Sequence, residues 1–153
     1  MKEREERDVP LPTRFWVALA RSYRVVFRRH ARALAPLGIT VSQFDLLATL
    51  HRGPDEGLRM GELSTRLLVT EGNVTGLVDR LEAGGMVERR ADPADRRAHR
   101  VRLTLQGRLL AEQAVPVVEA ELERAFAGLD AEEMRKAQHL LRRARRAAAD
   151  PER

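Results

Sequence analysis

Six arginines fall within a short segment near the middle of the chain, and their chemistry suits contacts with nucleic acid. They are Arg89, Arg90, Arg96, Arg97, Arg100 and Arg102. Asp92 and Asp95 lie among them, so the segment carries a net charge of +4, against +5 for all 153 residues. A guanidinium group is always charged, and its forked N–H donors match phosphate oxygens and base edges. The segment is therefore a candidate nucleic-acid surface. The alternative is a solvated charged loop, because arginine is abundant throughout the chain.

The elements around these arginines follow the order of a winged helix-turn-helix. The spacing of apolar residues predicts two short helices, over residues 61–68 and 71–83, with a turn at residues 69 and 70 between them. Gly84-Gly85 predicts a left-handed end to the second helix. Residues 86–90 and 99–103 predict an antiparallel hairpin, and the Asp-Pro chemistry of residues 91–98 predicts its loop. This order places the arginines on the hairpin, which is the wing of such a module.

The second helix of this pattern supplies the first set of candidate DNA contacts. In a helix-turn-helix, the first residues of that helix reach base edges in the major groove. Here they are Glu71, Gly72, Asn73, Thr75 and Gly76, and Thr70 can cap the helix. Asn73 can pair with an adenine edge, and Thr75 can meet a thymine methyl group or a phosphate. Each glycine weakens a helix by about 1 kcal/mol relative to alanine. The glycines therefore indicate either close approach to DNA or tight packing on the preceding helix.

Two hydroxyl side chains lie on the first helix of the pattern. Ser64 and Thr65 are candidate phosphate contacts, and a solvated polar face is the equally good alternative.

The predicted tip of the wing supplies the second set of candidate DNA contacts. Arg96 and Arg97 lie there beside Asp95, which can hold one arginine in an extended pose. A guanidinium on such a tip can enter a narrow minor groove, where the negative potential is deepest. A lone Asp-Arg-Arg triplet would be an ordinary charged loop, but its place directly after a helix-turn-helix pattern favours DNA.

The two ends of the chain predict helices that the winged module cannot cover. Helical spacing predicts helices over residues 13–34 and from residue 106, and capping boxes at Thr40/Gln43 and Asp130/Glu133 predict two more. Long amphipathic helices that cannot bury their apolar face usually pair with a copy of themselves.

The predicted fold class is therefore mainly α with a small β-hairpin wing (α+β). Its predicted parts are a flexible N-terminal tail (1–12), a helical dimerisation region (13–38 and 106–148) and a winged helix-turn-helix DNA-binding domain (39–105).

Several classes of function find no supporting residues. The chain has no cysteine, which excludes disulfides and thiolate ligands and fits a reducing cytoplasm. Its four histidines lie far apart, so no metal or cofactor is expected. No phosphate-binding loop, nucleophile elbow or zinc-protease motif occurs, so we expect no enzyme. No apolar run reaches the roughly 18 residues of a membrane span, and the N-terminus lacks a signal-peptide core. The expected location is the cytoplasm.

Three stretches closely resemble the MarR family of transcriptional regulators. They are residues 81–89 (LEAGGMVER), the Asp-Arg-Arg triplet at 95–97 and residues 101–107 (VRLTLQG), and the likeness extends over residues 13–148. Membership implies a dimeric winged-helix repressor or activator with an inducer pocket between its dimerisation and DNA-binding parts.

The resemblance also implies roles for individual residues. It carries major-groove contacts onto the helix from Thr70 to Arg80 and a minor-groove contact onto Arg97. The sequence departs from the family at Gly76, where relatives often have a longer polar side chain, and this leaves base specificity open.

Small aromatic or phenolic acids are the effectors that the resemblance suggests. Trp16, Tyr23, His30, Phe44 and His51 can line a crevice for such a ligand, with an arginine of the first helix for its carboxylate. The alternative is that these five are ordinary core and dimer-interface residues.

The sequence as a whole predicts a DNA-binding transcriptional regulator, in the default case a repressor, that binds double-stranded DNA as a homodimer. A small-molecule effector is a further possible partner, and no membrane is expected. The alternatives are a winged-helix module for protein–protein interaction and a non-specific architectural DNA binder.

Overall fold

The computed structural model describes residues 9–67, 74–93 and 95–149, except for the side chains of Arg96 and Arg97. Over these residues the fold is mainly helical with one small sheet, as the sequence predicts. In chain order the elements are α1 (Leu11–Leu34), α2 (Val41–His51), β1 (Leu58–Arg59), α3 (Met60–Arg66), α4 (Val74–Ala83), β2 (Val87–Asp92), β3 (Asp95–Leu103), α5 (Leu105–Ala125) and α6 (Ala131–Ala149). The predictions for residues 1–8 and for Thr70, Gly72 and Asn73 lie outside the described residues.

Helix α1 begins at Leu11, so the predicted flexible tail (1–12) wrongly includes the first two helical residues. Pro10 precedes the helix and Pro12 lies in its first turn. Proline suits that turn, because the first backbone N–H groups of a helix have no carbonyl partner and the φ of proline is already helical. A 3-10 turn at Ala35–Leu37 follows α1 and ends at Gly38 with a φ of 69°.

Both predicted capping boxes are confirmed. The backbone N–H of Thr40 donates to Gln43 Oε1 at 2.9 Å, and the N–H of Gln43 donates to Thr40 Oγ1 at 3.2 Å. Before α6, the N–H of Asp130 donates to Glu133 Oε2 at 2.8 Å, and the N–H of Glu133 donates to Asp130 Oδ1 at 2.8 Å. These reciprocal bonds satisfy backbone donors that a helix start otherwise leaves without partners, so both helix starts are fixed locally.

The wing is a three-stranded antiparallel sheet with β3 in the centre, paired with β1 on one side and β2 on the other. The predicted loop over residues 91–98 is wrong, because β2 continues to Asp92 and β3 begins at Asp95. The polar sequence suggested a loop, but an antiparallel ladder is made by backbone groups, and polar side chains do not interrupt it.

The core of the winged module forms where α4 packs against α2, α3 and the sheet. The predicted apolar face of α4 is confirmed, since Val74, Leu77, Val78 and Leu81 are all buried. These side chains join leucines of α2 and α3 and the buried valines of β2 and β3 in one cluster. Burial of each such side chain is worth about 1.5–3 kcal/mol. The opposite face of α4 is therefore held towards solvent.

The chain divides into two compact units, residues 1–121 and residues 122–153. The second unit holds the end of α5 and all of α6. Among the described residues no single helix is long and apolar enough to cross a membrane, and only the bent pair of residues 11–37 and Val41–His51 meets that test by length and composition. The described residues contain no cluster of His, Asp or Glu side chains that could hold a metal ion.

The start of α5 is seated on the turn that leaves α4. The N–H of Thr104 donates to the carbonyl of Met86 at 3.1 Å, and its hydroxyl donates to the carbonyl of Gly85 at 2.6 Å. Gly107 is buried against the same turn, where an added Cβ atom would lie 1.9 Å from the carbonyl oxygen of Met86. Only a residue without a side chain fits this contact.

Gly107→Ala should therefore destabilise the protein by about 2 kcal/mol or more, because the methyl group forces the α5 start away from Met86. Gly61→Ala is the matched control. It adds the same methyl group in α3, where nothing lies within 4 Å of the added atom. It should be neutral or stabilising by about 0.5 kcal/mol. Urea denaturation of both variants measures the difference, and equal midpoints would contradict the close contact.

Candidate nucleic-acid interface

Helix α4 presents a polar face to solvent because its apolar face is buried in the core. Thr75 and Arg80, two of the sequence candidates, are exposed on this helix, and Gly76 is half-buried. Asp79 is exposed beside them. A helix of this kind, with an accessible hydroxyl and a guanidinium on one side, can lie in a major groove and reach both base edges and phosphates.

The hydroxyl candidates on α3 are engaged within their own helix. Ser64 Oγ donates to the carbonyl of Met60 at 3.1 Å, and Thr65 Oγ1 donates to the carbonyl of Gly61 at 2.9 Å. Thr65 is exposed and Ser64 is half-buried. Either hydroxyl would have to give up its bond to a carbonyl of its own helix in order to donate to a phosphate, so their role as phosphate contacts stays a prediction.

Arg89 joins the wing to α4. Its Nη2 donates to Asp79 Oδ1 at 2.6 Å, its Nη1 donates to Glu82, and its backbone N–H donates to Glu82 Oε1 at 3.0 Å. The hydrogen bond to Asp79 is the main reason why the pKa of Arg89 lies above its ordinary value. This arginine therefore holds β2 against α4. Its positive charge is neutralised by the carboxylates of Asp79 and Glu82.

Glu88 pairs with two further arginines of the wing. Its carboxylate accepts from Arg102 Nε at 2.6 Å and forms an ion pair with Arg90 Nη2 at 2.8 Å. The hydrogen bond from Arg102, and then that from Arg90, lowers the pKa of Glu88 below its usual range. The cluster is partly exposed, so it is screened by solvent and contributes little to stability.

Asp92 forms a third cluster that sequence reasoning missed. It is 3% exposed, and its carboxylate accepts from Arg59 Nε at 2.6 Å and from Arg100 Nε at 2.9 Å. Arg100 Nη1 also donates to the carbonyl of Gly57 at 3.1 Å. An aspartate within an arginine-rich hairpin is the only sign of this cluster in the sequence. The sequence does not predict its burial, because residues 91–98 are polar and predict a loop.

The net charge of the winged module is zero. Residues 39–105 contain ten arginines and ten carboxylates, whereas α1 carries six arginines and no carboxylate. The charge of +4 counted over the wing segment is thus balanced by acids elsewhere in the module, several of them in the pairs above. Affinity for phosphate must therefore come from a few cations placed at the right points.

The backbone of Arg96 and Arg97 lies in the first part of β3, directly after Asp95. Ala91 pairs with His99, but the next residue of β2, Asp92, pairs with Asp95. Residues 96–98 therefore have no β2 partner in this register and form a bulge near the wing tip. Bulges bend a strand and redirect its side chains. The backbone of Arg96 and Arg97 therefore lies in a bulged part of β3 close to the tip, and not in a long loop. The role of these two arginines as DNA contacts stays a prediction.

The five candidate ligand residues differ in exposure, and their role in a ligand crevice stays a prediction. Trp16 and Tyr23 are 64% and 61% exposed on α1. His30, Phe44 and His51 are half-buried, and His30 Nε2 and His51 Nδ1 are shielded from water without a hydrogen-bond partner. Burial lowers the pKa of His30, against an opposing effect of the negative charge of Glu121.

A groove lies elsewhere in the first unit, beside the start of α5. It has a volume of about 440 Å³. Its lining includes Leu37, Met86, Leu105, Leu109 and the amides of Gln106 and Gln113. Leu105 and Leu109 are 75% and 51% exposed, so the groove is open to solvent.

A short helix, a second helix with a polar exposed face and then a hairpin, which pairs with the short strand before the first helix, define a winged helix-turn-helix protein. The family model described as "MarR family" matches residues 37–98. The transcriptional regulator YkoM of Bacillus subtilis is 30% identical over 140 residues, which cover 91% of this chain and 89% of YkoM. The chain belongs to the MarR family of DNA-binding transcriptional regulators.

Two solved structures extend the comparison. A mutant MarR of Escherichia coli complexed with operator DNA has a TM-score of 0.75 and 28% identity, over 88% of this chain and 94% of that one. BpsR of Bordetella bronchiseptica, whose DNA binding is regulated by 6-hydroxynicotinic acid, has a TM-score of 0.72 and 28% identity, over 86% and 98%.

The buried imidazole of His30 predicts a pH effect on stability. Because its pKa in the folded protein lies below the ordinary histidine value of 6.5, the unfolded chain binds the proton first as pH falls. The contribution is fully present above about pH 6.5 and is lost as pH falls through the folded pKa. The free energy of unfolding should therefore drop more between about pH 7.5 and about pH 5.5 in the wild type than in His30→Gln. Parallel pH profiles of the two proteins would contradict this prediction.

Proposed function

We propose that this regulator is a cytoplasmic repressor that binds a pseudo-palindromic operator as a homodimer and is released by a small aromatic acid. The observation that carries the proposal is the exposed polar face of α4, with Thr75 and Arg80, next to a wing that ends in a bulged strand. The operator complex of the Escherichia coli relative supports the same use of DNA here.

On DNA, each α4 enters a major groove and each wing reaches the flanking minor groove. Thr75 and Arg80 of α4, with Asn73 directly before the helix in sequence, are the proposed major-groove contacts, and Arg97 is the proposed minor-groove contact. Two recognition helices in a two-fold dimer sit roughly 34 Å apart, so the operator should span about 16–20 base pairs with the wing contacts included. Occupancy of a promoter by this dimer is the proposed means of repression.

The homodimer is supported by apolar side chains that the first and last helices leave in solvent. On α1 they include Phe15, Trp16 and Tyr23, and on α6 they include Leu140 and Leu141. Single exposed apolar residues are common, but a set on one long amphipathic helix indicates an interface. A second copy of the chain is the proposed partner, because two-fold homodimers are the commonest assembly of such chains.

The groove beside α5 is the proposed effector site. Its leucines can pack on an aromatic ring, and the amides of Gln106 and Gln113 can bind a polar substituent. The regulation of BpsR by an aromatic acid supports this ligand class. Such a ligand releases DNA only if it binds the DNA-free arrangement of the dimer more tightly than the DNA-bound one. The crevice of Trp16, Tyr23, His30, Phe44 and His51 remains the other predicted site.

A second candidate function is a winged-helix module that binds another protein, or an architectural DNA binder without an operator. The zero net charge of residues 39–105 favours the protein-binding module over the architectural binder, because non-specific DNA binding depends on positive charge. Salt titration separates the candidates. A specific DNA binder loses affinity steeply as salt rises and prefers its operator over scrambled DNA by about 10³-fold or more.

Arg97→Ala should weaken binding to a selected operator by about tenfold and lower the salt slope by about one, without unfolding the protein. Arg52→Ala is the control, because it removes the same charge from an exposed arginine at the end of α2. Fluorescence anisotropy over a series of salt concentrations, on duplexes selected from random DNA, measures both. An unchanged dissociation constant would remove the wing from the contact surface, and wild-type protein that binds no duplex in a salt-dependent way would refute DNA binding.

Trp16→Glu should shift the sedimentation of the protein at micromolar concentration from dimer to monomer, because it places a charge in the proposed apolar interface. Arg21→Glu is the control. It places an acid on an exposed position of α1, on the side of the helix away from Phe15, Trp16 and Tyr23. A stable folded monomer in the wild type, or dissociation by both variants alike, would contradict the interface.

A further inference from the structure

We propose that Asp92 is a positioning residue, whose buried carboxylate fixes the wing relative to α3 and so aims the bulged strand at DNA. This inference rests on the proposed contact of the wing with DNA. It concerns a residue that lies outside the exposed face of α4 and outside the Asp-Arg-Arg triplet. The carboxylate does not itself reach the surface, so its effect on DNA would be transmitted through the arginines that it holds.

Asp92, Arg59 and Arg100 form a cluster that links all three strands, and this cluster is called the brace. Asp92 lies at the end of β2, Arg59 lies in β1, and Arg100 lies in β3. The carboxylate side chain is 0% exposed, and its Oδ2 accepts from Arg59 Nε at 2.6 Å and from Arg100 Nε at 2.9 Å. Charge-assisted bonds of this kind are stronger than neutral ones, and a buried carboxylate without them would be costly.

The carboxylate of Asp92 also reduces a charge repulsion between β1 and β3. Arg59 and Arg100 are directly opposite each other in the pairing of β1 with β3. Like charges at such a position repel and destabilise the pair of strands. Asp92 lies between them and neutralises part of their charge, so the two-residue strand β1 can stay attached to the wing.

Arg59 connects this brace to the helix-turn-helix. It is the residue immediately before α3, and its backbone N–H donates to Glu62 Oε2 at 2.7 Å in the first turn of that helix. Its side chain meanwhile holds Asp92. Arg59 therefore both caps the start of α3 and binds the end of β2. This double contact restricts the angle between α3 and the wing.

The brace adjoins the part of the wing that is proposed to touch DNA. Asp92 is paired with Asp95 in the sheet, and the register shift that creates the bulge of residues 96–98 falls between Ala91 and Asp92. The negative charge of Asp95 also contributes to the raised pKa of Arg59, after the larger effect of Asp92. The brace and the bulge of residues 96–98 are thus neighbours in the wing.

The test compares two carboxylates of the same hairpin. Asp92→Asn keeps the shape of the side chain but removes its charge from Arg59 and Arg100, whereas Glu88→Gln removes the same charge from Arg90 and Arg102 in the exposed cluster. At one salt concentration, Asp92→Asn should weaken operator binding by about tenfold or more. Glu88→Gln should change it by less than about twofold, because exposed pairs contribute little.

A second arm separates positioning from general loss of structure. In an Arg97→Ala background, Asp92→Asn should add almost nothing to the loss of affinity, because both changes remove the same contact. A merely structural role would weaken binding equally in both backgrounds. Dimethyl sulfate protection of guanines by α4 in the major groove should persist in Asp92→Asn, and hydroxyl-radical protection of the minor groove should fade.

A replacement variant keeps the proposal testable if Asp92→Asn does not fold. Arg59→Gln leaves Arg100 on the buried carboxylate and breaks only the link to α3, and Arg90→Gln is its control for charge on the same hairpin. Arg59→Gln should weaken binding about tenfold and lose this effect in the Arg97→Ala background.

The outcomes that overturn the proposal are distinct from those that overturn DNA binding. Equal affinities of Asp92→Asn and Glu88→Gln, or of Arg59→Gln and Arg90→Gln, would show that the brace does not aim the wing. Additive losses in the Arg97→Ala background would show the same, and an Arg97→Ala variant with wild-type affinity would remove the contact that the brace is proposed to aim. Wild-type protein that binds no duplex would instead refute the proposed function itself.

Discussion

The winged module depends on how its carboxylates are shared among its arginines. Ten arginines in 67 residues would repel one another if the same stretch did not contain ten acids. In the structure several of these acids pair with arginines, although only Asp92 among them is buried. Asp79 and Glu82 hold Arg89, Glu88 holds Arg90 and Arg102, and Asp92 holds Arg59 and Arg100. The pairs join β2 to α4 and all three strands to one another. Five arginines of the module therefore have a structural role in its folded state.

Much of the fold could be predicted from local patterns. The capping boxes, the apolar face of α4 and the left-handed φ of Gly85 follow from interactions between near neighbours in sequence, and all of them are confirmed. The hairpin could not be predicted to its full length. Residues 91–98 are polar, and the ladder that orders them is made of backbone bonds and of an ion pair between Asp92 and Arg100, which no short-range pattern reveals.

The exposure of the candidate site could be predicted in part. The sequence predicts a helix that carries Thr75 and Arg80, and the structure leaves both exposed because the core takes the other face. The pattern of arginines did not show which wing arginines are paired, since spacing alone does not distinguish a paired guanidinium from an available one. Arg59 escaped notice for a related reason, because it lies thirty-three residues from its partner Asp92 along the chain.

The contact between Gly107 and Met86 has a mechanical consequence. The start of α5 and the turn after α4 are joined by hydrogen bonds through Thr104 and by a packing contact that admits no side chain. The end of α4 and the start of α5 therefore share one close-packed joint. From Leu105 to Glu121, α5 is about 25 Å long, so a tilt of about 5° displaces one end by about 2 Å relative to the other. If α4 contacts DNA as proposed, a tilt of α5 carried through this joint would change the position of α4 in the groove.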